Sequence, residues 1–184
     1  MSEAVLVRRA TIDDLDEAAR LFALYREFYG YPLDDTAARE YLRARIEGAD
    51  SVILLGYRPS DGDAVAGAQA VAGGFALADG DVAGRGQAAS GQAVGFCQLY
   101  PSYCSLDLAP IFVLYDLFVD SSARRSGVAR SLLAAAAAHG VEVGASRLEL
   151  STANDNSAAQ QLYESLGWMP DETYRHYELP VPRT

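Results

Sequence analysis

The chain has 184 residues, half of them hydrophobic and 22% charged, which suits one globular domain with a sizeable core. Its formal net charge of -10 argues against a nucleic-acid partner and leans, if anywhere, toward cationic small molecules or basic peptides. Nothing approaches the roughly 18 continuous apolar residues of a membrane span, and the start "MSEAVLVRRATIDD" lacks the layout of a secretory signal. Two unspaced cysteines, Cys97 and Cys104, with only two histidines argue against a zinc site and fit buried thiols in a reducing, cytoplasmic setting.

In chain order, "AVLVRRA" predicts a short strand leading to Thr11, a helix N-cap with Asp13, Asp14 and Asp16 in the first turn. Leu15, Ala18, Phe22, Tyr25 and Tyr29 recur at helical spacing until Gly30 and Pro32 interrupt them. A second helix is expected from about Asp35 through Tyr41, Leu42 and Ile46 to Gly48. "SVILLGY" and "AVGFCQLY" read as strands. Between them, about 59–92, lies a Gly/Ala-rich stretch with Phe75 as its one aromatic. Too apolar-poor to offset its ordering entropy, it is expected to be an insertion in a hairpin connection, with a functional lid as the alternative.

"IFVLYDLFV" is almost continuously apolar and β-prone, a central strand covered on both faces. A helix from about Arg125 to His139 follows, with Val128, Leu132 and Ala136 on one side and Gly140 as its stop. "SRLELST" predicts a strand. Asn154 or Asn156 caps "NSAAQQLYESLG", whose Ala159, Leu162 and Leu166 share a face, and Gly167 ends it. "ETYRHYEL" predicts a closing strand. The order β-α-α-β-β-β-α-β-α-β-β describes a single mixed α/β domain over 1–184.

The chemistry concentrates at "SSARRSGVARS". A strand feeding a tight turn and a helix aims free backbone N–H groups at one point, where the helix dipole also favours an anion. Gly127 removes the Cβ that would hold an anion off, Ala129 keeps the first turn slim, and Arg124, Arg125 and Arg130 supply charge-assisted hydrogen bonds. There is neither the "GK[ST]" of a Walker loop nor the three glycines of a dinucleotide fingerprint.

R-x-x-G-x-A at 124–129, after a strand ending "LFVD", is followed by the pattern N-x-x-A-x-x-L-Y-x-x-x-G-W in "NSAAQQLYESLGW". Together these resemble the GNAT superfamily of acetyl-coenzyme A-dependent N-acetyltransferases. "YREFYGY" and "FCQLYPSY" are similar, more loosely, to its small-amine and basic-residue branches. The resemblance implies a mixed, mostly antiparallel central sheet, flanked by helices, in which parallel strands 111–119 and 147–152 splay apart. Pantetheine would lie in that gap on the backbone of Leu117, Phe118 and Val119. The turn Arg124, Arg125, Ser126, Gly127, Val128, Ala129 and Arg130 would hold the pyrophosphate, and Asn156 the pantetheine arm. Acetyl-CoA is then the cosubstrate, no metal is required, and a homodimer paired through the last strands is the assembly common in similar proteins. Tyr163 matches the family's leaving-group acid, with a core-edge tyrosine as the bland alternative.

Asp116 is the one charged residue inside "IFVLYDLFV", and a carboxylate in an apolar strand should have a raised pKa, as a base near neutrality needs. A structural carboxylate, with the base replaced by a water chain, is the other reading. Tyr29, Tyr31, Tyr100 and Tyr103 either line an amine pocket through cation–π contacts or are ordinary packing. The expected activity is transfer of an acetyl group to a primary amine in a ternary complex. A non-catalytic acyl-CoA-binding sensor on the same scaffold is the alternative.

Overall fold

The computed structural model describes residues 5–58, 68–71, 75–78 and 91–182. They divide into two compact units, 1–151 and 152–184.

The first unit is built on a seven-stranded mixed sheet in the order β3-β4-β1-β2-β5-β6-β7. Its strands are β1 (Leu6–Arg9), β2 (Val52–Tyr57), β3 (Ala68–Val71), β4 (Phe75–Ala78), β5 (Ala93–Cys104), β6 (Ala109–Val119) and β7 (Leu148–Leu150). Pairing is antiparallel except for β1 with β4 and β6 with β7. Every residue of β2 is buried, as its unbroken apolar run requires.

Helices α1 (Leu15–Phe28) and α2 (Asp35–Gly48) cover one face. Leu15, Ala18, Phe22, Ala38 and Leu42 there join Ile53, Leu55, Phe96 and Phe118 in one core. Thr11 starts this layer as expected, though it caps a 3-10 turn, Ile12–Asp14, ahead of α1. The Asp14 carboxylate accepts from the Thr11 N–H at 2.9 Å and pairs with Arg8. That pairing holds its carboxyl below the ordinary carboxylate range.

Helix α3 (Val128–Glu142) covers the other face, with Val128, Leu132 and Ala136 buried as their spacing predicts. It begins three residues later than expected, because Arg125 and Gly127 both take positive φ, 62° and 92°, and a helix cannot run through them. Its expected stop is also corrected. Gly140 lies buried inside the helix, where a Cβ would come within 2.6 Å of Leu148 Cδ1. The atom it would meet is the tip of the Leu148 side chain, and the left-handed Gly144 follows the helix end instead.

The 59–92 stretch connects β2 to β5, which are antiparallel neighbours, so it is an insertion between paired strands. Contrary to the composition argument, it contains the β3–β4 hairpin, and β4 pairs with β1 at Val7 and Leu77. Backbone pairing supplies what apolar side chains do not. The remainder of the stretch, and with it the lid reading, lies outside the described residues.

The second unit contains α4 (Ser157–Glu164), capped by the Asn156 side chain, which accepts from Ala159 N–H. Gly167 follows it with φ of 86°. The expected closing strand is absent: residues 172–179 form no regular element. Alternation alone does not make a strand without a ladder partner.

Candidate active site

Strand β6 organises the candidate site. Its pairing with β7 covers only Phe112–Leu148, Val113–Glu149 and Leu114–Leu150, while its pairing with β5 continues to Val119. The β6–β7 ladder therefore ends at Leu114, where β7 itself ends at Leu150. Beyond that point the Asp120 N–H donates to Val94 O at 2.9 Å. By antiparallel alternation the polar groups of Phe118 then also face β5, and those of Leu117 and Val119 point to the opposite edge. Of the three backbones expected to receive pantetheine, Leu117 and Val119 are the ones with outward N–H and C=O groups. Phe118 instead buries its ring against Phe96.

At the end of β6 the chain forms a self-braced turn. Asp120 accepts from the Ser122 N–H and hydroxyl at 2.9 and 2.7 Å, Ala123 N–H donates to Asp120 O, and Ser126 Oγ donates to Ala123 O at 2.6 Å. The hydrogen bonds from Ser122 hold the Asp120 carboxyl low, and Arg20 stands 3.7 Å away. This acid is thus tied back within the turn. Gly127 caps α3 in the left-handed region, and the N–H groups that open the helix have no carbonyl of their own helix to meet. Arg124, Arg125 and Arg130 are exposed around it. Arg124 reaches back to Val119 O at 3.4 Å and lays its guanidinium 5.6 Å from the Phe28 ring centroid.

A close approach sets the position of that helix end. Val128 seats against Gly56 of β2 and Gly95 of β5, where a Cβ on Gly95 would be 2.8 Å from Val128 Cγ1 and 2.9 Å from Phe118 O. The glycine lets α3 sit down on the sheet, which carries the turn to the end of β6.

On the α1–α2 face, Asp116 is 7% exposed. Burial pushes its carboxyl up to about 6, with the hydrogen bond from Tyr25 acting in the opposite sense. It pairs across the ladder with Gln98, whose Nε2 donates to Ser51 Oγ at 2.8 Å. The register shifts between Gln98 and Leu99, so Tyr115 has no residue opposite. This bulge turns Tyr115 toward the Asp116 face, where its ring lies 5.9 Å from that of Tyr100. The Tyr100 hydroxyl in turn contacts the Tyr41 hydroxyl of α2, and Tyr41 stacks on Phe22. Tyr25 meets Tyr29 edge-on at 5.0 Å, also from α1.

Of the four tyrosines expected around an amine, Tyr100 and Tyr29 belong to this cluster. Tyr31 stands under Arg26 at 5.5 Å, and Tyr103 is 82% exposed at the far end of β5. Tyr25, Tyr41 and Tyr115 complete the cluster, and sequence reasoning missed them in this role. Their helical and strand positions were visible, but the bulge that gathers them was not.

In the second unit, Tyr163 is half-buried with its ring 6.1 Å from that of Trp168. Asn156 Nδ2 donates to Thr152 Oγ1 at 3.3 Å while its oxygen caps α4. These residues are placed within their own unit.

A mostly antiparallel mixed sheet with a parallel β6–β7 pair, flanked by helices, matches the architecture of a class, the acyl-group transferases. Residues 18–168 match the acetyltransferase (GNAT) family, and the chain belongs to that family. It is 34% identical over 176 residues to the uncharacterized N-acetyltransferase YhfO of Bacillus subtilis, covering 96% of this chain and 97% of that one. It is 33% identical over 92 residues to an aminoglycoside N(6')-acetyltransferase type 1 of Salmonella typhimurium, spanning 47% of this chain and 61% of the relative. Among solved structures, one described as a probable acetyltransferase superposes with a TM-score of 0.76 at 34% identity, over 97% of this chain and 99% of the other. The chain is an acyltransferase enzyme by these relationships.

Proposed function

We propose that the protein transfers the acetyl group of acetyl-CoA to a primary amine held against Asp116, by direct transfer in a ternary complex. The observation that carries the reading is that β6, in succession, seats a buried carboxylate, runs past the end of its ladder with β7 at Leu117 and Val119, and ends at the turn closed by Gly127.

The residues present fit the cosubstrate. A diphosphate suits the opening N–H groups of α3 and the guanidiniums of Arg124, Arg125 and Arg130, with Ser126 bracing the turn and the slim Ala129 leaving the approach open. An amide-bearing arm suits the outward edge of Leu117 and Val119, with Asn156 assigned to it by the family resemblance. When bound, acetyl-CoA supplies an activated acetyl thioester. The outward N–H of Leu117 or Val119 is the donor available to polarise a carbonyl.

An incoming ammonium has no lone pair until it loses a proton, and Asp116 takes that proton. Its raised pKa makes it a base near neutrality rather than a spectator anion. Tyr163, again by resemblance, donates a proton to the departing sulfur. We take the two units as one acetyltransferase domain. Free Cys97 and Cys104 suit a reducing cytoplasm. No helix among the described residues is long and apolar enough to cross a membrane.

Incubation with acetyl-CoA and a panel of primary amines should release free thiol in step with acetylated product. Tyr163→Phe should lower kcat by about 10- to 100-fold with little change in KM. Unchanged turnover in that variant removes the acid assignment. Tight coenzyme A binding with no amine ever acetylated leaves an acyl-CoA sensor in place of an enzyme.

A further inference from the structure

The acceptor side of this site has a charge pattern of its own, and we infer that it selects an amine bearing a single positive charge on an apolar body and rejects polycations such as polyamines and aminoglycosides. The inference rests on the acetyltransferase reading and narrows its substrate class.

The cluster holds one buried acid, Asp116, among phenols: Tyr25 and Tyr29 from α1, Tyr41 from α2, Tyr100 from β5 and Tyr115 from β6. Other acids on or flanking α1 and α2 are paired, capping or exposed to solvent. Asp50 pairs with Arg45 Nε at 3.0 Å, Asp34 caps α2 by accepting from Ala37 N–H, and Glu27 and Asp35 are exposed to solvent. One ammonium therefore has one counter-ion.

The aromatic rings around the cluster would normally welcome further cations. Here the protein has supplied its own. Arg45 lies 5.2 Å from the Tyr41 centroid within the cluster, and outside it Arg26 lies 5.5 Å from Tyr31 and Arg124 5.6 Å from Phe28. Burial and the Tyr41 hydroxyl push the Tyr100 phenol up, and Arg45 acts in the opposite sense. Because Arg45 covers Tyr41 and is itself paired with Asp50, a second ammonium on a flexible acceptor finds neither that ring face nor that carboxylate free. The remaining surface beside Asp116 is the edge-to-face pair of Tyr100 and Tyr115, and Tyr115 is 72% exposed. An uncharged, apolar substituent packs there without opposing charge.

The test measures thiol release with 2-phenylethylamine, n-butylamine, spermidine and kanamycin as separate acceptors. The expected kcat/KM for 2-phenylethylamine exceeds that for spermidine and for kanamycin by about tenfold or more. Arg45→Gln should narrow this gap at least threefold by raising the rate with spermidine, and Tyr115→Leu should lower the preference for 2-phenylethylamine over n-butylamine. A gap under threefold in the native enzyme, a preference for either polycation, or a gap untouched by Arg45→Gln overturns the charge selection while leaving acetyl transfer intact. Failure of all four amines, with no thiol released, overturns the underlying reading too.

Discussion

In the proposed reaction Asp116 accepts a proton from a cation inside a strand built of apolar side chains. Burial raises its pKa to about 6, and the Tyr25 hydrogen bond works against that rise. The base form is thus present above about pH 6 and lost as pH falls through it. kcat/KM is expected to show an inflection near that value, in addition to any limb from the amine's own titration. Asp116→Asn should remove the inflection and lower kcat by about 100-fold or more, which a pH–rate series on both proteins checks. Tyr25→Phe removes the partner that favours the ionised form, so the inflection should move to higher pH. Asp116 could be picked out of the sequence because it is the lone charge in its strand. Tyr115 could not, since strict alternation puts neighbouring residues on opposite faces and only the bulge at Gln98–Leu99 brings both to one side.

At the level of elements, the turn proposed to hold the diphosphate depends on how deeply α3 seats on the sheet. Gly95→Ala would thrust a methyl to within 2.8 Å of Val128 and 2.9 Å of a backbone oxygen, and backbone cannot swing aside. A loss of about 1–3 kcal/mol in unfolding free energy is expected. Displacement of the helix start should also weaken coenzyme A binding several-fold, measured by calorimetry on the folded fraction. Leu132→Ala, fully buried further along the same helix, should cost about 2–5 kcal/mol with a smaller effect on that affinity. These elements differ in how far their sequences announce them. The expected bounds of α2, Asp35 and Gly48, are those observed, although the left-handed cap is Ala49 rather than a glycine. Gly140 mimics a stop signal locally, but its role is set by Leu148 on another element, a constraint no local pattern carries. The same limit explains the closing strand: alternation at 172–179 states a preference that only a ladder partner could realise.

Across the whole molecule, titrating groups pull stability in two directions. Asp14 is held low by Arg8 and Thr11, and Asp120 by Ser122, so each contributes stability that is present above the ordinary carboxylate pKa and lost as pH falls through its lowered value. Asp116 has the opposite sign. Its folded pKa lies above the unfolded one, so the native state binds the proton more tightly between about pH 4 and 6, and stability declines as pH rises through that window. A shift of about two units corresponds to roughly 3 kcal/mol at most. A net charge of -10 at neutrality adds self-repulsion of the same sign. Stability should therefore peak at about pH 4, fall as pH rises to about 6, and decline further toward about pH 8 through self-repulsion. Urea unfolding across that range, at low protein concentration because the sequence pI is about 4.6, measures the curve. In Asp116→Asn the neutral side should rise by about 1–3 kcal/mol while the acid side stays put, leaving a flatter profile. A variant that is less active yet more stable at pH 8 is the expected signature of a carboxylate kept in an unfavourable place for its chemistry. Equal stability of the two proteins at pH 8 would place Asp116 in a far better solvated environment than its burial indicates.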